Sequence, residues 1–307
     1  MNILITGCLG HIGSFFLQNI DKLKNINKVY CIDNNLEKIN SLLNIKTKKK
    51  FTFIYDNLKN SLELNKLKKI DIVIHFAAIT NAEASVNHFD LYKKNNIGSL
   101  KTIVNFCIKK KSNLIHISST SVYGVQKKLV DEDPKNLNPQ SPYAKIKVME
   151  EKLIRNSKGL KFVSLRFGTI CGFSNGMRFH TAVNKFCLQA VMNKKITVWK
   201  TAMNQFRPYL SINDAFKAIN FVIDKKLFNN QNYNILTENL TVRNIITEIK
   251  KNNYSTKVKL IKSKIMNQLT YKVSKIKIQK KGLKLNHKVK FEIKKTLNSL
   301  GAINNAR

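Results

Sequence analysis

The chain has 307 residues, 43% of them hydrophobic, enough for one large or two modest domains around a packed core. Its formal charge of +37 comes from 55 basic and 18 acidic residues, but lysine is spread along the whole chain beside abundant asparagine and isoleucine, all with AT-rich codons, so base composition accounts for the bias. Arginine, the residue suited to bidentate phosphate and base contacts, is scarce; specific nucleic-acid binding is therefore not expected, and no apolar run approaches the roughly 18 residues of a membrane span.

Asn2 to Thr6 is a short, branched apolar run that suits a buried parallel strand. Gly7, Gly10 and Gly13 follow at three-residue spacing, and helical periodicity begins at Ile12. A strand, a glycine turn and a helix start form a phosphate cradle: glycine lets the backbone approach a pyrophosphate, and free N–H groups face its charge. A start at Asn2 leaves no room for a cleavable leader, so the expected compartment is the cytoplasm. Lys28 to Ile32 predicts a second strand ending at Asp33. An acid there suits a ribose diol and repels a 2′-phosphate, favouring NAD over NADP.

A basic helix and turn are expected over 38–50, and a third strand over Phe51–Tyr55, followed by Asp56 and Asn57. Asp71–His75 predicts a fourth strand leading into Phe76, Ala77 and Ala78, small enough to let a cofactor lie close. A long helix over 89–110 carries Asn95 and Gly98, and Asn113–Ser118 predicts a fifth strand. Alternating strands and helices point to an α/β fold, a doubly wound parallel sheet with ligands at the carboxyl ends of its strands. The five cysteines (8, 31, 107, 171, 187) contain no CxxC pair. Neither a disulfide framework nor a metal site is expected.

Ser118 to Ser121 closes the fifth strand, and Pro139 and Pro142 precede a helix holding Tyr143 and Lys147 four residues apart on one face. A lysine ammonium beside a phenol stabilises the phenolate and lowers its pKa from about 10, giving a general acid/base that works near neutrality.

With these residues in place, the chain resembles the extended short-chain dehydrogenase/reductases. The likeness is to their NAD-dependent nucleotide-sugar epimerase/dehydratase group, and to its UDP-glucose 4-epimerase-like members. The resemblance rests on TGCLGHIG (6–13), Asp33, Asp56, HFAA (75–78), Asn95 with Gly98, SSTSVYG (118–124) and YAKIK (143–147). It continues through LRFGTICG (165–172), FRPYLSINDAFKAI (206–219) and SKIKIQKKGLK (274–284). It implies a Rossmann-type domain over 1–168 with a returning segment at about 207–236, and a smaller, sequence-interleaved substrate lobe from 169–206 and 237–307. Leu210 to Val222 is expected to return to the main sheet, and the lysine-rich stretch 254–294 to form the small lobe's basic exterior.

The resemblance also implies roles. Gly7, Gly10, His11, Ile12 and Gly13 would hold the pyrophosphate of NAD, Asp33 the adenosine ribose, and Asp56 with Asn57 the adenine. Phe76, Ala77, Ala78 and Ser118 would line the cofactor, with Asn95 behind it. Ser119 would be the catalytic hydroxyl with Thr120 beside it, Tyr143 the base, and Lys147 its activator and a nicotinamide-ribose ligand. Thr80, Thr169, Arg178, Asn184 and Arg207 would face a nucleotide-diphosphate sugar, Arg207 pairing with its phosphates. Thr169 and Cys171 stand where the family often has asparagine and tyrosine, and Cys171 is expected to pack instead of binding. Dehydratases of the family carry Asp-Glu after the catalytic hydroxyl; this chain has Thr120-Ser121, which favours an epimerase. A 4-keto-sugar reductase, needing only the serine, tyrosine and lysine, is the alternative. A non-catalytic NAD sensor or a nucleic-acid-associated protein is a more distant one. The family further implies a homodimer through the helices at 89–110 and 143–155, and surface-polysaccharide supply as the common setting.

Overall fold

The computed structural model describes residues 1–43, 45–82, 84–252, 256–262 and 270–304. Seven parallel strands form the central sheet: β1 (Asn2–Thr6), β2 (Lys28–Asp33), β3 (Lys50–Tyr55), β4 (Ile72–His75), β5 (Asn113–Ser119), β6 (Lys161–Phe167) and β7 (Gln231–Ile235). Their order is β7-β6-β5-β4-β1-β2-β3. The chain winds outward from β1 in both directions, so the switch point lies between β1 and β4, and the carboxyl ends there open onto a crevice. The expected doubly wound sheet is present.

Helices α1 (His11–Gln18), α2 (Phe89–Lys110), α3 (Pro142–Asn156) and α5 (Ile212–Asp224) flank the sheet; α4 (Ala182–Val191), α6 (Val242–Lys251) and α7 (Val289–Asn304) lie in the smaller part. On one face α1 and α5 bury Phe16, Leu17, Ala215 and Ile219 against Ile3, Ile5 and Ile74. On the other, α2 buries Leu100, Ile103 and Phe106 against Leu4, Val73 and Leu114. Successive strand residues alternate faces, so a sheet covered on both sides is apolar at nearly every position. A second core joins α4, α6 and α7, through residues such as Phe186, Ile245, Ile293 and Leu297.

Three expectations need correction. The segment expected back at the main sheet from about 207 to 236 starts elsewhere: Phe206–Ser211 pairs with Thr169–Cys171 and Glu238–Thr241 in a sheet of three, and α5 and β7 then reach the main sheet. A Cβ on Gly168 would sit 2.9 Å from the Pro208 carbonyl, and this close approach carries the chain out of β6 into the smaller sheet. Only from Ser211 does it come back, the Ser211 hydroxyl accepting the Asn213 and Asp214 N–H groups to start α5. The stretch 254–294 is not all exterior. Within it Ile278 and Leu283 join the main core, and Val289 and Ile293 begin a buried stripe of α7 continued by Leu297 and Leu300. Apolar residues at helical spacing outweigh the lysines between them; positions 254–255 and 263–269 of that stretch lie outside the described residues. The basic helix expected over 38–50 is a 3-10 segment, Leu36–Leu42. All five cysteines are buried, and Cys171 packs, its thiol 3.5 Å from the Leu210 carbonyl.

Candidate active site

The glycine turn is built for close approach. Gly7 has φ +70°, and a Cβ there would lie 2.5 Å from the Ala77 nitrogen; a Cβ on Gly13 would lie 2.4 Å from the Gly7 carbonyl. Gly10 caps α1 without a side-chain hydrogen bond, leaving the first helical N–H groups open to a ligand. His11 is buried: Nε2 lies 2.8 Å from the Gly172 carbonyl and Nδ1 has no partner among the described residues. Burial lowers its pKa from 6.5 to about 3, with Arg178 adding to the effect. His11 is thus neutral, with one ring nitrogen in reserve for a ligand.

Asp33 accepts the Leu9 N–H at 2.9 Å and the Asn35 N–H at 3.0 Å, tying the end of β2 to the turn. Asp56 accepts the Asn57 N–H and the Ser61 hydroxyl, and Asn57 caps the following 3-10 turn through the Lys59 N–H. These three do not line the central cavity. Neither does Asn95. Its neighbour Asn96 is the fully buried one, clasping both backbone groups of Ile79 at 2.9 and 3.1 Å.

One cavity of about 520 Å³ runs from the glycine turn to the smaller lobe. Gly7, Gly10, His11, Ile12 and Gly13 form its floor at one end, with Phe76, Ala77, Ala78 and Thr80 beside them. Ser118, Ser119, Thr120, Tyr143 and Lys147 stand in the middle. Thr169, Arg178 and Arg207 close the far side. The sequence thus places most of its candidate residues on one surface, although they come from three strands, two helices and the turns and loops between elements. Ser119 is part-exposed, its hydroxyl capping the Ser121 N–H at 3.2 Å. The Thr120 hydroxyl is buried against the Phe167 carbonyl and the Tyr271 phenol, so Ser119 is the better placed to meet a ligand. Ser118 donates to Glu151 at 2.6 Å.

Tyr143 enters on the first turn of α3, fixed by Pro142 at the first helical position and by Ser141, whose hydroxyl accepts the Ala144 N–H. The Lys147 ammonium lies 5.8 Å from the Tyr143 ring centroid. Arg178 donates to the Thr80 hydroxyl, while its Nε is shielded from water without a partner among the described residues. Burial lowers its pKa, and the Tyr143 phenol opposes that. Asn184 is fully buried outside the cavity, bonded to the Gly172 N–H and the Arg178 carbonyl; it shapes the Arg178 loop and does not face a ligand.

Sequence reasoning passed over the layer beneath these residues. Thr6, His75, His116, Ser164 and Asn232 stand side by side across β1, β4, β5, β6 and β7. Thr6 and His75 lie 2.8 Å apart, and His116 and Ser164 2.9 Å. Onto this polar row α3 sets two acids: Glu150 on His116 and Lys147, and Glu151 on Arg166, Ser118 and Asn232. The signal was present, since Glu150 and Glu151 follow Lys147 by three and four positions and share its helical face.

A glycine cradle at a switch point, joined to a strand-end serine and a Tyr-x-x-x-Lys pair, defines a dinucleotide-dependent enzyme site. The chain belongs to the NAD dependent epimerase/dehydratase family, whose sequence model matches residues 3–235. It is 33% identical over 238 residues to a Bacillus subtilis (strain 168) protein described as an uncharacterized UDP-glucose epimerase, covering 73% of each chain. It is 31% identical to a dTDP-D-glucose 4,6-dehydratase of Dictyostelium discoideum, covering 77% of this chain and 58% of that one. Among solved structures, the UDP-glucuronic acid 4-epimerase of Bacillus cereus, in complex with UDP-glucuronic acid and NAD, superposes with a TM-score of 0.89. It is 25% identical, with 99% of this chain and 100% of that chain covered. NAD is the cofactor, and the residues present fit it: the cradle that a Cβ at Gly7 or Gly13 would fill, the uncapped start of α1, and the reserved nitrogen of His11.

Proposed function

We propose that the protein is an epimerase acting at C4 of a nucleotide-diphosphate sugar. The observation that carries this reading is the presence of Ser119, Tyr143 and Lys147 on the same cavity wall as the glycine cradle. NAD supplies the hydride acceptor and donor when bound. Ser119 and Tyr143 orient the sugar hydroxyl, and the phenol oxygen of Tyr143 takes its proton and later returns it. Lys147 holds positive charge beside that oxygen, and the apolar walls exclude water. Arg207 and Arg178 face the substrate side, as do Thr80 and Thr169. The Arg178 guanidinium, short of a partner on its buried nitrogen, calls for an anionic group on the ligand.

Thr120-Ser121 in place of an acid pair supports epimerisation over dehydration, because removal of water needs a further acid and base. Mass spectrometry under native and then denaturing conditions tests the reading first: tightly held NAD, released on unfolding, is expected for an enzyme that regenerates its cofactor at every turnover. A panel of UDP-, GDP- and dTDP-linked sugars, uronates included, then identifies the substrate. Tyr143→Phe is expected to lower kcat by about 10²–10⁴-fold at unchanged NAD content. Consumption of reduced cofactor in proportion to product would instead establish a keto-sugar reductase.

A further inference from the structure

The Lys147 ammonium is not presented to the cavity alone. It donates to Glu150 Oε2 at 2.7 Å and to the Ile117 carbonyl at 3.0 Å. The same carboxylate oxygen lies 2.9 Å from His116 Nε2, and the other ring nitrogen of His116 lies 2.9 Å from the Ser164 hydroxyl. The side chains are almost dry: His116 is 0%, Glu150 3% and Lys147 5% exposed. Burying a charged pair costs more in lost hydration than it returns in stability unless the geometry is excellent, so stability is a poor reason for this arrangement. It lies directly beneath the acid/base.

We propose that Glu150, pinned by His116, is a positioning residue for the Tyr143–Lys147 pair: it fixes where the ammonium sits and how much of its charge the phenol feels. This rests on Tyr143 and Lys147 being the acid/base pair. A carboxylate in contact with the ammonium cancels part of its field at a third group nearby. Without Glu150, the full lysine charge would stabilise the phenolate, making Tyr143 easier to deprotonate and a weaker base.

The remaining charged and titratable groups packed around the pair leave this role to Glu150. On β4, His75 stays neutral, burial lowering its pKa to about 3. On β6, Arg166 holds Glu151 through two hydrogen bonds of 2.9 and 2.6 Å, which offsets much of that carboxylate's pull on Lys147 and leaves it a lesser one than Glu150. On β5 the ring of His116 is the second partner of Glu150 itself. Arg178 faces Tyr143 from across the cavity. Glu150 is therefore the acid in direct contact with the Lys147 ammonium.

Glu150→Gln is the informative variant. The amide keeps the size, and its oxygen, in the place of Oε2, accepts from both Lys147 and His116 while the other oxygen becomes an NH2 group; the charge is removed. The readout is the ultraviolet titration of the phenolate in NAD-loaded protein, taken as the difference between each protein and the same protein carrying Tyr143→Phe. The midpoint in E150Q is expected about one pH unit below that of the parent. Glu150→Asp, which keeps the charge, is expected to restore the midpoint. With a turned-over sugar, both limbs of the kcat profile shift to lower pH in E150Q while KM changes little. Coincident titrations of E150Q and the parent, with only a lower melting temperature in the variant, would overturn the proposal. The titration needs no substrate, so failure to turn over any sugar would strike the epimerase reading and leave this result standing. If E150Q does not fold, His116→Gln frees the carboxylate instead; an unchanged midpoint there would overturn the pinning.

Discussion

Two glycines of one turn have different obligations. At Gly10 an added Cβ would meet the Gly7 carbonyl at 3.3 Å, a contact small shifts relieve, and its φ of −74° is open to any residue. At Gly13 the same atom would stand 2.4 Å from that carbonyl and 2.7 Å from the Cys8 Cα, both backbone. Gly13→Ala must push α1 away from the turn and open the cradle. It is expected to fold yet bind NAD about tenfold or more weakly, while Gly10→Ala binds nearly as the parent does; calorimetric titration with NAD separates them. Equal affinities would mean that the turn does not hold the pyrophosphate. The spacing of these glycines was legible because turn, strand and helix leave independent marks in sequence. The choice between Asn95 and Asn96 was not, because one residue turns a helix by about 100° and only packing shows which side chain faces inward.

The polar row under α3 belongs to the scale of elements. Each strand reads as an apolar run interrupted by polar residues, among them His75 in IVIH, His116 in NLIHISS and Ser164 in KFVSLRF. That these interruptions line up follows from register, which no single strand records. Their alignment gives the sheet a titration behaviour. Burial holds His75 at about 3 against 6.5 when free, and His11 likewise. Between those values the unfolded chain binds the protons and the folded chain does not, so stability falls as pH drops from 6.5 toward 3. Glu150, lowered to about 2 chiefly by Lys147, acts in the same direction below 4.5. Each group contributes a slope of at most about 1.4 kcal/mol per pH unit. Urea midpoints are expected to fall from pH 6.5 to 4.5, where the lowered histidines outweigh the opposing carboxyl of Glu132, raised by burial, and less steeply in His75→Gln. Midpoints independent of pH across that window would show the histidines to be protonated in the fold.

At the scale of the molecule, a charge of +37 works against self-association, and the helices show how it can be met. Helices α2 and α3 pack together on one sheet face, and their outer sides leave Leu91 58%, Ile108 38% and Met149 37% exposed. Exposed apolar residues on adjacent helices are what an isologous four-helix contact would cover. Lysines 93, 94, 101, 109 and 110 share α2 with them, so two copies meeting here bring like charges together. Salt weakens that repulsion, the screening length falling from about 30 Å at 0.01 M to about 8 Å at physiological ionic strength, while burial of apolar surface is retained. Sedimentation is therefore expected to show a dimer whose fraction rises with salt, the reverse of an assembly held by ion pairs. Met149→Glu places a charge on the outer side of α3 without replacing Tyr143 or Lys147, and is expected to leave a monomer under the same conditions. A parent monomeric at every salt concentration would rule out this face as an interface; a dimer unaffected by Met149→Glu would place the contact elsewhere.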